Sequence, residues 1–365
     1  MSKFILLTAA AVATATGTIT KSFNDRTDQD FDEYLKSHPS KTYNDDETYQ
    51  MRKLIWSNTR KDVIAQNEKY KKGDSTWWAT MNKFADYTQD ELQSIRGGKR
   101  AHFDESTNNF LKAEIKPSKA TPKSISWMSV QSPVKNQGAC GSCWAFATTE
   151  VLESHLAIAE NSTQPLILAP QTLVNCVSNP KKCGGTGGCK GAIAEIGFNF
   201  TRDFSMALES DLPYIGQDEP CRKYKKTVTC KGYVKNKQNS AEDLEHSIAT
   251  KGPVAVTVSA NWALYGGGIF SGGCSLGASC TLDHAVVAVG YSPKYWLVRN
   301  SWGSDWGESG YIRLTRAHDT TTYSDTMTSS GSACFPYPAK QSPMGESGIL
   351  FDTCYPVGVH RDTSE

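Results

Sequence analysis

The chain has 365 residues, 38% of them hydrophobic and 21% charged, with a formal net charge of +1. That length allows one or two domains with real cores, and the composition excludes a disordered chain. Near-neutral charge gives no reason to expect nucleic acid or an anionic membrane as a partner, and no apolar run of 18 residues follows the N-terminus to span a bilayer.

Lys3 followed by the apolar run Phe4 to Val12 and the small-x-small site Ala13-Thr14-Ala15 reads as a secretory signal peptide, placed over residues 1–17. The sequons Asn161-Ser162-Thr163 and Asn199-Phe200-Thr201 fit that route. The expected location is therefore the secretory pathway, ending in a lysosome or outside the cell.

Residues 20–100 are rich in charged and amide side chains and hold no cysteine. Tyr49, Leu54, Ile55, Val63 and Ile64 recur at helical spacing, so the segment is expected to be an amphipathic helical unit packed on something else. Residues 97–123, opening on Gly97-Gly98, read as a linker. The domain boundaries are accordingly 18–119 for the leading unit and linker, and 120–365 for the body.

All eleven cysteines lie between 140 and 354. An odd count in a secretory chain points to disulfides plus one free thiol. Ser142 to Ile158 carries the small and apolar positions of a helix, and residues 177–192 are dense in Gly and Cys and read as irregular. Val254 to Val258, Ala285 to Tyr291 and Tyr295 to Arg299 are β-rich. Helices first and strands later argue for an α+β fold with a helical half and a strand-rich half. Residues 317–348, rich in Thr, Ser, Gly and Pro, are expected to form a long loop.

The chemistry concentrates in Gln137-Gly-Ala-Cys140-Gly-Ser-Cys143-Trp-Ala-Phe146. The attacking species of a cysteine nucleophile is the thiolate, and a helix N-terminus favours that anion. Cys143 stands where a Gly-rich turn meets a helix start. Its backbone N–H and the Gln137 amide are candidate oxyanion donors. His284, at the start of a strand-like run, is the candidate base. Asn300 is the candidate orienting group, whose amide oxygen can hold the imidazole N–H, and Trp302 and Trp306 can shield that bond from water. Asp283 precedes the base, but neighbouring strand residues face opposite ways, so Asn300 is the better partner.

Each of these residues also has a plainer reading. Cys140 and Cys143 could form a redox pair, but no βαβ pattern surrounds them. Cys183, Cys189 and Cys176 could ligate zinc, but no histidine accompanies them and the compartment is oxidising. A lone strand-edge histidine is usually structural, but here Asn300 and a Trp-rich segment follow His284.

The segment around Cys143 resembles the papain and cathepsin signature, with His284 following after 141 residues and Asn300 after 157, near that family's separations. The run from Asn300 to Tyr311, Pro253-Val254 and Asp352-Thr-Cys-Tyr-Pro356 resemble it further, so the likeness covers most of residues 120–357. It implies a two-lobed fold, a helical lobe and a strand-rich, barrel-like lobe with the site between them, preceded by a mainly helical inhibitory propeptide. Asn82-Lys-Phe84-Ala-Asp86 resembles the propeptide's short motif, and Arg52, Trp56 and Asn67 fit its helical pattern, whereas Thr59 and Val63 depart from it.

The resemblance implies a cysteine endopeptidase made as an autoinhibited precursor. Peptides and proteins would be its substrates and its own propeptide its inhibitor, with no metal or organic cofactor, and the enzyme is expected to be monomeric. The rivals are a silent storage or binding relative and a thiol–disulfide oxidoreductase. The resemblance also implies that Cys140 pairs with Cys189 and Cys176 with Cys221. It gives Cys274 a partner for which Cys334 and Cys354 compete, and five bridges are possible. It places Gly191, Ile193, Ala194, Thr257, Leu282, Asp283 and Trp302 along the substrate cleft, with Ile193, Ala194, Thr257 and Leu282 as walls of the second subsite, the pocket for the side chain next to the scissile residue. Asp352 falls at the floor of the second subsite, where an acid would accept an arginine side chain. Acid is expected to loosen the propeptide by protonating carboxylates such as Asp86.

Overall fold

The computed structural model describes residues 21–97 and 121–363. The signal-peptide expectation and most of the linker lie outside the described residues.

The leading unit is helical, as its charge-rich amphipathic pattern requires. Helix α1 (Phe31–Ser37) starts on a capping box between Asp30 and Glu33. Helix α2 (Asp46–Lys72) runs from the Asp45 cap to Gly73, whose φ of 83° ends it in the left-handed conformation. The buried stripe of α2 is Trp56, Val63 and Asn67, packed with Phe31, Tyr34, Ala79, Met81 and Ala85. This corrects the apolar face expected from spacing: Leu54 is 64% exposed and Ile64 lies on the surface too. The face is chosen by the aromatic anchor and an amide that ties down the next strand: Asn67 donates to the Ala79 carbonyl and accepts from its N–H. Strand β1 (Trp77–Ala79) follows, then helix α3 (Gln89–Ser94), capped by Thr88 and Glu91.

The body opens with the short strand β2 (Ile125–Ser126) and helix α4 (Cys143–Ala159), which starts one residue after the expected Ser142. Helices α5 (Pro170–Cys176) and α6 (Ala194–Phe204) pack with α4 around Trp144, Val151, Leu152, Leu173 and Phe198 to make the helical half.

The second half consists of strands and one helix: β3 (Val228–Thr229), β4 (Gly232–Lys235), helix α7 (Ala241–Thr250), β5 (Val254–Val258), β6 (Tyr265–Phe270), β7 (His284–Tyr291), β8 (Tyr295–Arg299), β9 (Tyr311–Thr315), β10 (Thr353–Val357) and β11 (His360–Arg361). The main sheet runs β1-β6-β9-β8-β7-β5-β10-β4, with β2 added on β7. Its end strands β1 and β4 do not pair with each other, so the barrel-like lobe expected from the resemblance is an open sheet among the described residues. Strand β1 of the leading unit extends the body's sheet by antiparallel pairing with β6, a peptide-strand addition. The halves are pinned by Arg299 on β8, fully buried, which meets Glu150 of α4 at 3.0 Å and donates to the carbonyls of Ser132 and Pro133. A buried charge needs all of these partners at once.

The disulfides are Cys140–Cys189, Cys176–Cys221, Cys183–Cys334 and Cys274–Cys280. Cys274 therefore takes Cys280, its near neighbour, rather than Cys334 or Cys354, and Cys334 reaches across to the helical half. Three thiols stay free where one was expected, Cys143, Cys230 and Cys354, all buried. Cys354 is enclosed within β10 and Cys230 beside α6, so neither meets a partner. The 317–348 segment is largely irregular, as expected, but it is packed down. Glu346, fully buried, accepts from the N–H groups of Gly272 and Gly273 and meets His318 at 2.8 Å.

Candidate active site

Cys143 is the first residue of α4, and its Gly-rich approach is clamped by the Cys140–Cys189 bridge. Across the cleft, β7 begins at His284, and the N–H of its neighbour Ala285 points at the Cys143 sulfur over 3.5 Å. The extended register of β7 thus sets thiol and imidazole on facing walls of one cleft.

His284 Nε2 lies 2.8 Å from the Asn300 amide oxygen. That oxygen also accepts from the Ser301 N–H at 2.8 Å, which fixes which end of the amide faces the ring. Nε2 therefore carries hydrogen, and Nδ1, which has no hydrogen-bond partner, keeps a free lone pair. Trp302 stacks on the ring at 4.9 Å, and Trp306 stands edge-on to Trp302 at 5.2 Å. The His284–Asn300 bond is thereby walled off from water.

Gln137, fully buried, is held by Ser301 Oγ, which donates to its Oε1 at 2.6 Å. Its Nε2 donates to the carbonyl of Cys140 at 2.9 Å and to that of Ile95 at 2.7 Å. The second acceptor belongs to the leading unit. The next carbonyl, that of Arg96, takes the Cys143 thiol hydrogen at 3.5 Å. Burial pushes the thiol up to about 12, and burial likewise pulls His284 down to about 3. In this covered state the pair is a neutral thiol and a neutral imidazole.

The covering segment is seated by specific contacts. Phe84 meets Trp302 edge-on at 5.3 Å, Asn82 donates to the Ala263 carbonyl at 2.7 Å, and Lys83 donates to the Trp302 carbonyl at 2.6 Å and to Asp305 at 2.8 Å. Asp86 is fully buried and receives Lys41, Tyr34 and Tyr43. Gly97, read in the sequence as the first linker residue, lies instead in the cleft at φ 90°. A Cβ on Gly191 would fall 1.9 Å from the Gly97 carbonyl oxygen, so only glycine admits this approach at Gly191.

A shallow recess opens beside the sulfur, lined by Ile193, Thr257, Leu282 and Asp283 among others. Asp283 does not turn toward the imidazole. It accepts from the Ala260 N–H at 3.2 Å and faces Arg96 at 3.7 Å. Ala194 begins α6 next to Ile193 and does not line the recess. Neither does Asp352, which was expected at its floor and here lies behind Thr257. Its carboxylate lies 2.6 Å from the Lys235 ammonium and accepts from Thr257 Oγ1 at 3.2 Å, and Lys235 also reaches Glu195 at 2.8 Å. Burial would raise the Asp352 carboxyl, but Lys235 holds it low, while burial leaves Glu195 raised. The acid thus has a resident cation. Sequence reasoning missed Lys235, the Ile95–Arg96 carbonyls and the Ser330–Ser332 stretch that also lines the recess; none stands in a motif, and only the fold brings them there.

Comparison with known proteins agrees with this geometry. Residues 121–332 match the papain family of cysteine proteases, and residues 31–92 match the cathepsin propeptide inhibitor domain (I29). A cathepsin L-like proteinase of Phaedon cochleariae is 37% identical over 79% of this chain and 88% of its own length. Digestive cysteine proteinase 2 of Homarus americanus is 33% identical over 78% of this chain and 88% of its own. The fold is similar to that of digestive procathepsin L 3 of Tenebrio molitor larval midgut, with a TM-score of 0.71 and 28% identity over 89% of this chain and 97% of that one. With both the peptidase body and the inhibitory segment matched, the chain belongs to the papain family of cysteine proteases.

Proposed function

We propose that Cys143 is the nucleophile, His284 the base, Asn300 the group that orients it and Gln137 an oxyanion donor of this cysteine endopeptidase. The observation that carries the reading is the free Nδ1 of His284, whose other nitrogen is held by Asn300 in the cleft that the thiol enters. Once the cleft is uncovered, the thiol proton passes to Nδ1 and the thiolate adds to the peptide carbonyl carbon. The oxyanion takes hydrogen bonds from Gln137 Nε2 and the Cys143 N–H. The imidazolium returns the proton to the leaving amine, and a thioester remains. Water, deprotonated by His284, adds to the thioester and releases the acid and the thiol.

The precursor is inhibited by residues 18–119, of which Ile95 and Arg96 present main-chain carbonyls to the two reactive donors while Phe84 and Asn82 anchor the segment on Trp302 and Ala263. Peptides are the substrates, and secretion or lysosomal delivery suits a disulfide-bearing body of this kind. The enzyme acts as a monomer and without a cofactor.

The test is hydrolysis of a fluorogenic Phe-Arg dipeptide amide by the processed enzyme, with and without a thiol-alkylating epoxide. Turnover abolished by the epoxide, and absent in Cys143→Ala of unchanged circular dichroism, is expected. Turnover surviving in that variant would remove Cys143 from the mechanism.

A further inference from the structure

The 317–348 segment has no part in the chemistry described, yet its middle enters the cleft. Ser330, Gly331 and Ser332 line the same recess as Cys143, Ile193, Thr257 and Leu282. Gly331, Ser332 and Ala333 are buried. A Cβ on Gly331 would sit 3.0 Å from the Leu282 carbonyl oxygen, so the strand-rich wall touches this segment directly. On the other wall, the Ala333 carbonyl accepts from the Gly184 N–H at 3.1 Å, the Phe335 N–H donates to the Lys181 carbonyl at 2.8 Å, and Tyr337 Oη donates to the Lys182 carbonyl at 3.2 Å. Cys334 then forms the disulfide with Cys183 of the helical half. The segment leaves the strand-rich half after β9 and returns to it at β10, so this bridge carries it across the mouth of the cleft and back.

By the family resemblance Ile193, Thr257 and Leu282 are walls of the second subsite, on the acyl side of the scissile bond, and the segment lines the same recess as they do. The crossing is on the acyl side. We propose that residues 330–335 are a covalently fixed strap that ends the acyl side of the cleft beyond the second subsite, so that the processed enzyme works best on peptides with two residues before the scissile bond and releases dipeptides from amino termini faster than it cuts internally. This rests on the peptidase reading above. The leaving-group side carries no such crossing among the described residues, so chain length there is unrestricted. A hydrogen-bonded loop alone could swing aside for a long substrate. The Cys183–Cys334 bond removes that freedom, because opening would have to pull Cys334 of the strap away from Cys183 on the helical wall.

The experiment uses the processed enzyme and peptides that share a Phe-Arg pair before the bond, begin with a free amine, and carry none to four extra alanines ahead of Phe. The expected kcat/KM falls by about tenfold or more once two alanines are added, while extension on the leaving-group side changes it little. Cys183→Ser/Cys334→Ser should flatten that fall. Should this pair of substitutions prevent folding, Ser330→Trp, which thickens the strap, should steepen it. A flat length profile in the wild type overturns the strap but leaves the peptidase reading standing; a steep wild-type profile that neither variant alters also overturns it. Absence of hydrolysis at every length would overturn both.

Discussion

The Cys143 sulfur lies 3.5 Å from the main-chain oxygen of Arg96, so the reactive thiol of the precursor is hydrogen-bonded to its own inhibitory segment and not to the imidazole opposite. With the thiol pushed up to about 12 by burial, the thiolate is nearly absent at neutral pH. Removing residues up to about 119 admits water and frees the sulfur to meet His284. The precursor should therefore be alkylated by iodoacetamide at least about a hundredfold more slowly than the processed enzyme at pH 7. Equal rates, followed by mass spectrometry of the Cys143 peptide, would show that the segment does not control the thiol.

Gln137 spends its side-chain donors in the precursor on the carbonyls of Cys140 and Ile95. On the proposed mechanism a developing oxyanion takes over the Ile95 position. Gln137→Ala should lower kcat of the processed enzyme by about 10²–10³ with KM little changed. It should also weaken inhibition by added propeptide, since the Ile95 carbonyl loses its donor. Loss of turnover with undiminished propeptide affinity would mean that the amide does not hold Ile95 in solution.

Acid release of the propeptide depends on which carboxylates change charge. Arg52 donates to both oxygens of Glu91 in a bidentate pair that ties α2 to α3. The hydrogen bonds from Arg52, the largest cause, hold the Glu91 carboxyl down at about 2, against an ordinary value of 4.5. A depressed carboxyl contributes stability that is full above the unfolded value and is lost as pH falls through the folded one. This pair therefore weakens only between about 4.5 and 2. The pair is partly exposed, so its contribution is small. Glu91→Gln should abolish the part of the propeptide's acid unfolding that lies in that window and leave the curve above pH 5 unchanged, as read by propeptide fluorescence. An unchanged curve below pH 4.5 would exclude Glu91.

What was legible in the sequence was what local chemistry dictates. The Gly-rich turn into α4 marked Cys143, and the β-rich run marked the strand that begins at His284. The Trp-rich segment after Asn300 marked the wall around the imidazole. Spacing does not single out the propeptide's apolar face, because Leu54 and Ile64 match helical spacing as well as Trp56 and Val63 do; the tie from Asn67 to Ala79 selects between them, and such a tie has no periodicity. Gly97 passes for a linker residue in the sequence because glycine marks turns and close approaches alike. The Cys183–Cys334 pairing joins residues 151 positions apart, which spacing alone does not reveal. Asp352 stands at one end of a motif, but its partner Lys235 sits on a neighbouring strand, in no motif at all.

That partner predicts a specificity opposite to the one the motif implies. An acid beneath the second subsite would favour an arginine side chain, but Lys235 is 2.6 Å from Asp352 and 2.8 Å from Glu195, and its ammonium already offsets one of the two buried acids. An incoming guanidinium would meet a neutralised carboxylate behind Thr257 and lose its hydration for little return. The processed enzyme should therefore cleave a Phe-Arg dipeptide amide and leave Arg-Arg nearly untouched. Lys235→Met removes the resident cation while keeping the length of the side chain. With Asp352 then free to accept a charge-assisted hydrogen bond, the Arg-Arg to Phe-Arg ratio of kcat/KM should rise by about tenfold. Adding Asp352→Asn should cancel that gain. The variant should also unfold at a lower temperature, because one buried carboxylate loses its counter-charge. Wild-type enzyme that cleaves Arg-Arg as readily as Phe-Arg would show that Lys235 does not hold Asp352 in the working enzyme, and a ratio unmoved by Lys235→Met would show that the acid cannot be reached from the cleft.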